Sequence, residues 1–84
     1  MREALRGYIR DSILGSPQTG IADDEDLLLS GLVDSVGIMR LIGWMETTFS
    51  IAIPPEDVTI ENFGTIADMA GYIERRRSAA GSTG

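Results

Sequence analysis

Two adjacent side chains have the types and the setting to carry chemistry: Asp34 and Ser35, in Gly31-Leu32-Val33-Asp34-Ser35-Val36. They lie where a loop-like stretch meets an apolar-periodic one. A serine at a helix start is exposed on one side and rigidly placed. A phosphodiester built on it would lie near the positive end of the helix dipole and near free backbone N–H groups. Such a serine needs no base of its own when another enzyme performs the transfer. On spacing alone a simpler role stays open, because Ser and Asp are favoured N-caps whose oxygens satisfy free amides. A second polar cluster, Asp23-Asp24-Glu25-Asp26, lacks the alternating acids and central Gly of a calcium loop. It reads as a solvated loop face.

The rest of the composition narrows the function classes. His and Cys are both absent. That removes the commonest general base, the commonest neutral metal ligand, thiolate metal sites and disulfides. With 84 residues and 43% of them hydrophobic, the chain can bury one core but has little surface left to wall off a pocket. No metal site and no enzyme activity are expected. Thirteen acids against seven bases give a formal net charge of -6, which argues against nucleic acid as a partner. That net charge suits partners with basic docking surfaces. No apolar run approaches membrane-spanning length and the N-terminus has no signal-peptide pattern. A cytoplasmic monomer without membrane association is expected.

The elements that must position Ser35 follow from periodicity. Leu5, Tyr8, Ile9 and Ile13 recur at helical spacing from Glu3 to about Leu14, with Arg2, Arg6 and Arg10 on the opposite, solvated face. Gly15, Ser16 and Pro17 stop that helix. A long connection to about Asp34 follows, in which Ile21 and Leu27-Leu28-Leu29 can plug into a core. A second helix starts at Asp34 or Ser35 and runs to about Phe49, with Ile38, Leu41, Ile42, Met45 and Phe49 as its core stripe. Ile51-Ala52-Ile53 is apolar, and Pro54-Pro55 bars further helix. Pro55 to Val58 reads as a single turn. Thr59 can cap a short helix ending at Gly64. Thr65 to Asp68 reads as a capping box opening a last helix on Ile66, Met69, Ala70 and Ile73. Arg75, Arg76 and Arg77 are expected in its last turn, followed by a disordered tail over 78–84. The fold class is all-α, a small antiparallel four-helix bundle of three main helices and one short one with a long first loop, its domain spanning 1–77. Tyr8, Phe49, Phe63 and Tyr72 are expected at the core or its edge. Trp44 is either a semi-buried anchor or part of a partner surface.

The segment Leu29-Ser30-Gly31-Leu32-Val33-Asp34-Ser35-Val36 resembles the attachment motif of acyl and peptidyl carrier proteins. Asp-Ser alone carries no weight. The helix to Phe49, Ile51-Ala52-Ile53-Pro54-Pro55-Glu56-Asp57, Asn62-Phe63 and Thr65-Ile66 extend the likeness over about residues 3 to 75. The resemblance implies that a phosphopantetheinyl transferase attaches 4'-phosphopantetheine to Ser35. It implies that Asp34 helps that transferase hold magnesium. It also implies that the arm carries cargo as a thioester from a separate loading enzyme, an adenylating enzyme or an acyltransferase, to downstream acyl-using enzymes.

Gly31-Leu32-Val33-Asp34-Ser35 is similar to freestanding carriers, such as D-alanyl carriers and discrete polyketide or nonribosomal-peptide carriers. The fatty-acid type has its Gly one position nearer the serine. That type also has an acidic exposed face on the second helix, where this chain has Gly37 and Arg40 and only Glu46 near the end. Val36, Met39, Arg40 and Gly43 therefore form the expected partner surface, apolar with one cation. Gly37 and Gly43 each cost roughly 1 kcal/mol of helix propensity relative to Ala, a cost understandable if a partner or the arm approaches closely. The alternative to a modified carrier is a helical interaction module that keeps the fold and works unmodified. The identity of the cargo is not written in the chain.

Overall fold

The computed structural model describes residues 1–15 and 20–82, without the side chains of 79–82. The described residues are all-α and contain four α-helices and no strand. The first, α1, spans Arg2–Tyr8 and continues as a wider π-type turn over Ile9–Ile13, closed by the Leu14 N–H donating to the Ile9 carbonyl at 2.8 Å. Leu5 and Ile9 are fully buried, as their spacing predicts, with Tyr8, Ile13 and Leu14 packed beside them. Of the expected stop, Gly15 adopts φ +64°; Ser16 and Pro17 lie outside the described residues.

The polar face of α1 is not simply solvated. Arg2 donates to Asp23 Oδ2 at 2.9 Å, Arg6 pairs with Asp23 Oδ1, and Arg6 Nε donates to the Ile21 carbonyl at 2.9 Å. The Asp23 carbonyl in turn accepts the Ala67 N–H at 2.9 Å. One residue of the acidic run thus ties the long loop to the first and last helices. The hydrogen bond from Arg2, with Arg6 alongside, holds the Asp23 carboxyl below its ordinary value of 3.8. A carboxyl with a lowered folded value stabilises the fold above its unfolded value and stops doing so as pH falls through the folded one. In urea titrations, wild type is therefore expected to exceed Asp23→Asn in stability at neutral pH. The two should converge in acid, below the ordinary range of aspartate.

The second helix, α2, spans Ser35–Phe49. Leu41 and Met45 are fully buried, while Ile38, Ile42 and Phe49 pack at the core's edge. Ser50 ends the helix with φ 55°. Ile51 and Ile53 turn inward, and Pro55–Asp57 form one 3-10 turn. In α3, Ile60–Phe63, the Thr59 hydroxyl accepts the Asn62 N–H at 3.2 Å and Phe63 is completely buried. In α4, Ile66–Ser82, the Thr65 hydroxyl accepts the Asp68 N–H at 3.0 Å. Its inward stripe is Ile66, Met69, Ala70 and Ile73, joined by Tyr72. Burial, with the hydrogen bond Tyr72 donates to Asp57 Oδ2 at 2.7 Å, pushes the Tyr72 phenol up to about 12. The helix continues past Arg77 to Ser82, so Arg75, Arg76 and Arg77 do not occupy its last turn. That continuation reaches into the stretch expected as a tail, whose residues 83 and 84 lie outside the described ones. No helix among the described residues is long and apolar enough to cross a membrane.

Candidate functional site

The loop that delivers Ser35 is fixed before it reaches the helix. Leu27 is fully buried; its N–H donates to the Gly64 carbonyl at 2.8 Å and its carbonyl accepts the Val33 N–H at 2.9 Å. Val33 is buried as well, so the chain enters the helix from a pinned point. Between them the loop makes a braced turn. Asp26 Oδ1 accepts the Leu29 N–H at 2.9 Å, the Ser30 hydroxyl donates to the Asp26 carbonyl at 2.6 Å, and the Gly31 N–H reaches the Leu28 carbonyl at 3.1 Å. Gly31 has φ +82°, a conformation that a Cβ would strain. This turn corrects one expectation: of Leu27-Leu28-Leu29, only Leu27 enters the core fully, Leu28 lies at its edge, and Leu29 is 71% exposed. The turn's hydrogen bonds, invisible in an apolar run, decide which leucine faces inward.

Of the two residues that could cap the helix, Asp34 does so. Asp34 is the N-cap, with extended backbone, and its Oδ1 accepts the Gly37 N–H at 2.8 Å. Ser35 is the first helical residue. It is exposed, and its hydroxyl has no partner among the described residues. The N–H groups of the first helical turn before Gly37 also point to no described acceptor, as expected at a helix start. The site therefore offers a free hydroxyl beside uncapped N–H donors, with no cluster of metal ligands among the described residues. Asp34→Ala is expected to cost about 0.5–2 kcal/mol by removing the cap, read as a lowered urea midpoint.

Gly37 does not lie on the exposed face of α2, where its match to the acidic positions of the fatty-acid type would put it. It is buried, and a Cβ built on it would come within 3.0 Å of Ile13 Cγ2 and 3.2 Å of Val33 Cγ1. Internal packing against the end of the first helical segment, not an approaching partner, accounts for the glycine. Gly43 differs, since a Cβ there would meet open space. Val36 and Met39 are 67% and 72% exposed, and Arg40 and Gly43 are exposed with them. Glu46, the one acid near the helix end, is turned inward: its Oε2 accepts the Ile53 N–H at 3.0 Å. Trp44 is a semi-buried anchor, stacked on Tyr8 at 4.5 Å between ring centroids and edge-on to Phe49 at 5.6 Å. Along one side of α2, Ile38, Met39, Ile42, Ile53, Pro55 and Val58 line an apolar groove of about 300 Å³. The exposed Leu29 and this groove had no clear signal in the sequence.

Comparison with known proteins fits this geometry. Residues 3–73 match the family model described as "Phosphopantetheine attachment site". The chain is 32% identical over 56 residues to the D-alanyl carrier protein of Streptococcus pyogenes serotype M5 (strain Manfredo), covering 67% of this chain and 71% of that relative. The D-alanyl carrier proteins of serotype M49 (strain NZ131) and serotype M1 match to the same extent.

Proposed function

Because the chain belongs to the phosphopantetheine-attachment-site family of carrier proteins, we propose that Ser35 is the residue on which its 4'-phosphopantetheine is carried. The protein is a carrier and not an enzyme, and that arm is its covalent group. One observation supports Ser35 above all: an exposed hydroxyl without a partner sits at the first position of a helix capped by its neighbour. The phosphodiester fits there, because the unpaired N–H groups and the dipole of α2 favour an anion. When bound, the arm supplies a thiol that holds an acyl or aminoacyl group as a thioester.

The residues around Ser35 orient and expose it, and a separate phosphopantetheinyl transferase does the chemistry. Ser35 Oγ forms the new bond to phosphorus. The pyrophosphate bond of coenzyme A breaks, adenosine bisphosphate leaves, and the hydroxyl proton passes to the transferase. Asp34 Oδ1 is occupied by the Gly37 N–H, which leaves Oδ2 as the atom to face the transferase's magnesium. The partner surface is Val36, Met39, Arg40 and Gly43.

We place the carrier in the cytoplasm as a monomer, with a domain over 1–77 and the helices packed as an antiparallel bundle. Cargo comes from a separate adenylating enzyme or acyltransferase and passes to acyl-using enzymes of a polyketide, nonribosomal-peptide or related pathway. The D-alanyl carrier relatives favour an aminoacyl cargo within that range. The test is intact-mass analysis after incubation with a broad-specificity transferase and coenzyme A. One phosphopantetheine added and mapped to Ser35 supports the reading. No addition, where a control carrier is modified, favours an unmodified interaction module.

A further inference from the structure

The net charge of -6 suits basic partners, yet the ground next to Ser35 has the opposite character. Along α2 from Ser35 to Gly43, the exposed residues are Ser35, Val36, Met39, Arg40 and Gly43. None is acidic, and Glu46 further on is committed to the Ile53 N–H. Arg2, Arg6 and Arg10 are each paired with a carboxylate, whereas Arg40 faces none among the described residues. Its backbone is held, because the Tyr8 hydroxyl donates to its carbonyl at 3.4 Å. The rise of an α-helix sets Met39 and Arg40 about 6–8 Å along the axis from Ser35, on ground that an enzyme acting at Ser35 must cover. The acids nearest in sequence, Asp26 and Asp34, keep their charge but precede Ser35, bracing the turn and capping the helix, whereas Met39 and Arg40 follow it along α2. More distant acids are screened over about 8 Å at physiological ionic strength.

We propose that the enzymes acting at Ser35 dock an apolar face carrying a carboxylate opposite Arg40, and that Arg40 selects them by charge against the sign of the whole molecule. This rests on the assignment of Ser35 as the attachment point. Met39 and Val36 supply apolar contact and Leu29 extends it on the loop side. Arg40 decides which apolar faces are accepted, because a like charge brought against it is repelled and a carboxylate is drawn in.

The experiment uses the intact protein, coenzyme A and two purified phosphopantetheinyl transferases, one with a basic docking face and one with an apolar face bearing a carboxylate. Wild type should be modified with the higher kcat/KM by the second. Arg40→Glu should lower that value by about tenfold and raise the value with the basic-faced enzyme, since rim charges act through encounter rate. Both shifts should shrink in about 0.5 M salt. Met39→Ser should weaken the apolar-faced enzyme without altering salt dependence. Converting the transferase carboxylate to Lys should restore activity toward Arg40→Glu, which a mere folding defect would not allow. Uptake at Ser35 with no response to Arg40, or shifts of the same sign with both enzymes, overturns this inference alone. No uptake by wild type from either enzyme overturns the assignment of Ser35 and this inference with it.

Discussion

Replacing Ser35 with alanine is expected to abolish phosphopantetheine uptake completely while leaving the fold intact. The two halves of this result have separate causes. The hydroxyl is the only atom lost that can bond to phosphorus. Stability should hardly move, because the cap of α2 is the Asp34 carboxylate and not Ser35. Alanine is a good helix former, and an exposed side chain without a partner is lost at a cost within about 0.5 kcal/mol. Intact mass after transferase treatment reads the first half, and a thermal melt of the same sample reads the second. Retained uptake by Ser35→Ala would move the attachment point elsewhere. Asp34→Ala should give the complementary pattern, with a lowered midpoint and the hydroxyl still present. The pair separates two residues that are adjacent in sequence and distinct in physics.

Leu27→Ala is expected to be the most damaging single change in the loop that leads to Ser35. Leu27 is completely buried, and its backbone bonds to both Gly64 and Val33. Truncating a buried leucine costs about 2–5 kcal/mol through lost transfer energy and the cavity left behind. In a domain of this size each kcal/mol lowers Tm by about 4–8 °C. A melt of Leu27→Ala should therefore fall by at least about 8 °C. Leu29→Ala, two residues on, should stay close to wild type because Leu29 is mostly in solvent. A similar loss for both would mean that the turn at Asp26 does not hold the two leucines on opposite sides.

Much of the fold was legible because its signals are local. The stripes of the first, second and last helices, the Thr59 and Thr65 caps and the turn after Pro54 depend on residues within one or two turns of each other. Both caps form where their residue types predict. Three of the misreadings are long-range. Gly37 looked like a surface position because helical periodicity cannot show that Ile13 and Val33 close over it. Asp23 looked like one of four solvated acids until Arg2, Arg6 and the Ala67 N–H met on it. Glu46 read as the one acid on the helix's exposed face, but the chain turns back after Ser50 and brings the Ile53 N–H to it.

The sequence by itself determined that Asp34 and Ser35 stand at a helix start, that the protein is helical, and that an arm attached by another enzyme needs no base from this chain. These follow from residue type and short spacing. Only the tertiary structure decided that the Ser35 hydroxyl is left without a partner among the described residues, that Ile13 and Val33 close over Gly37, and that Arg40 faces no carboxylate there. The reason is physical: burial and pairing are set by backbone direction and by which distant groups arrive. Those are properties of the packed chain, not of its spacing.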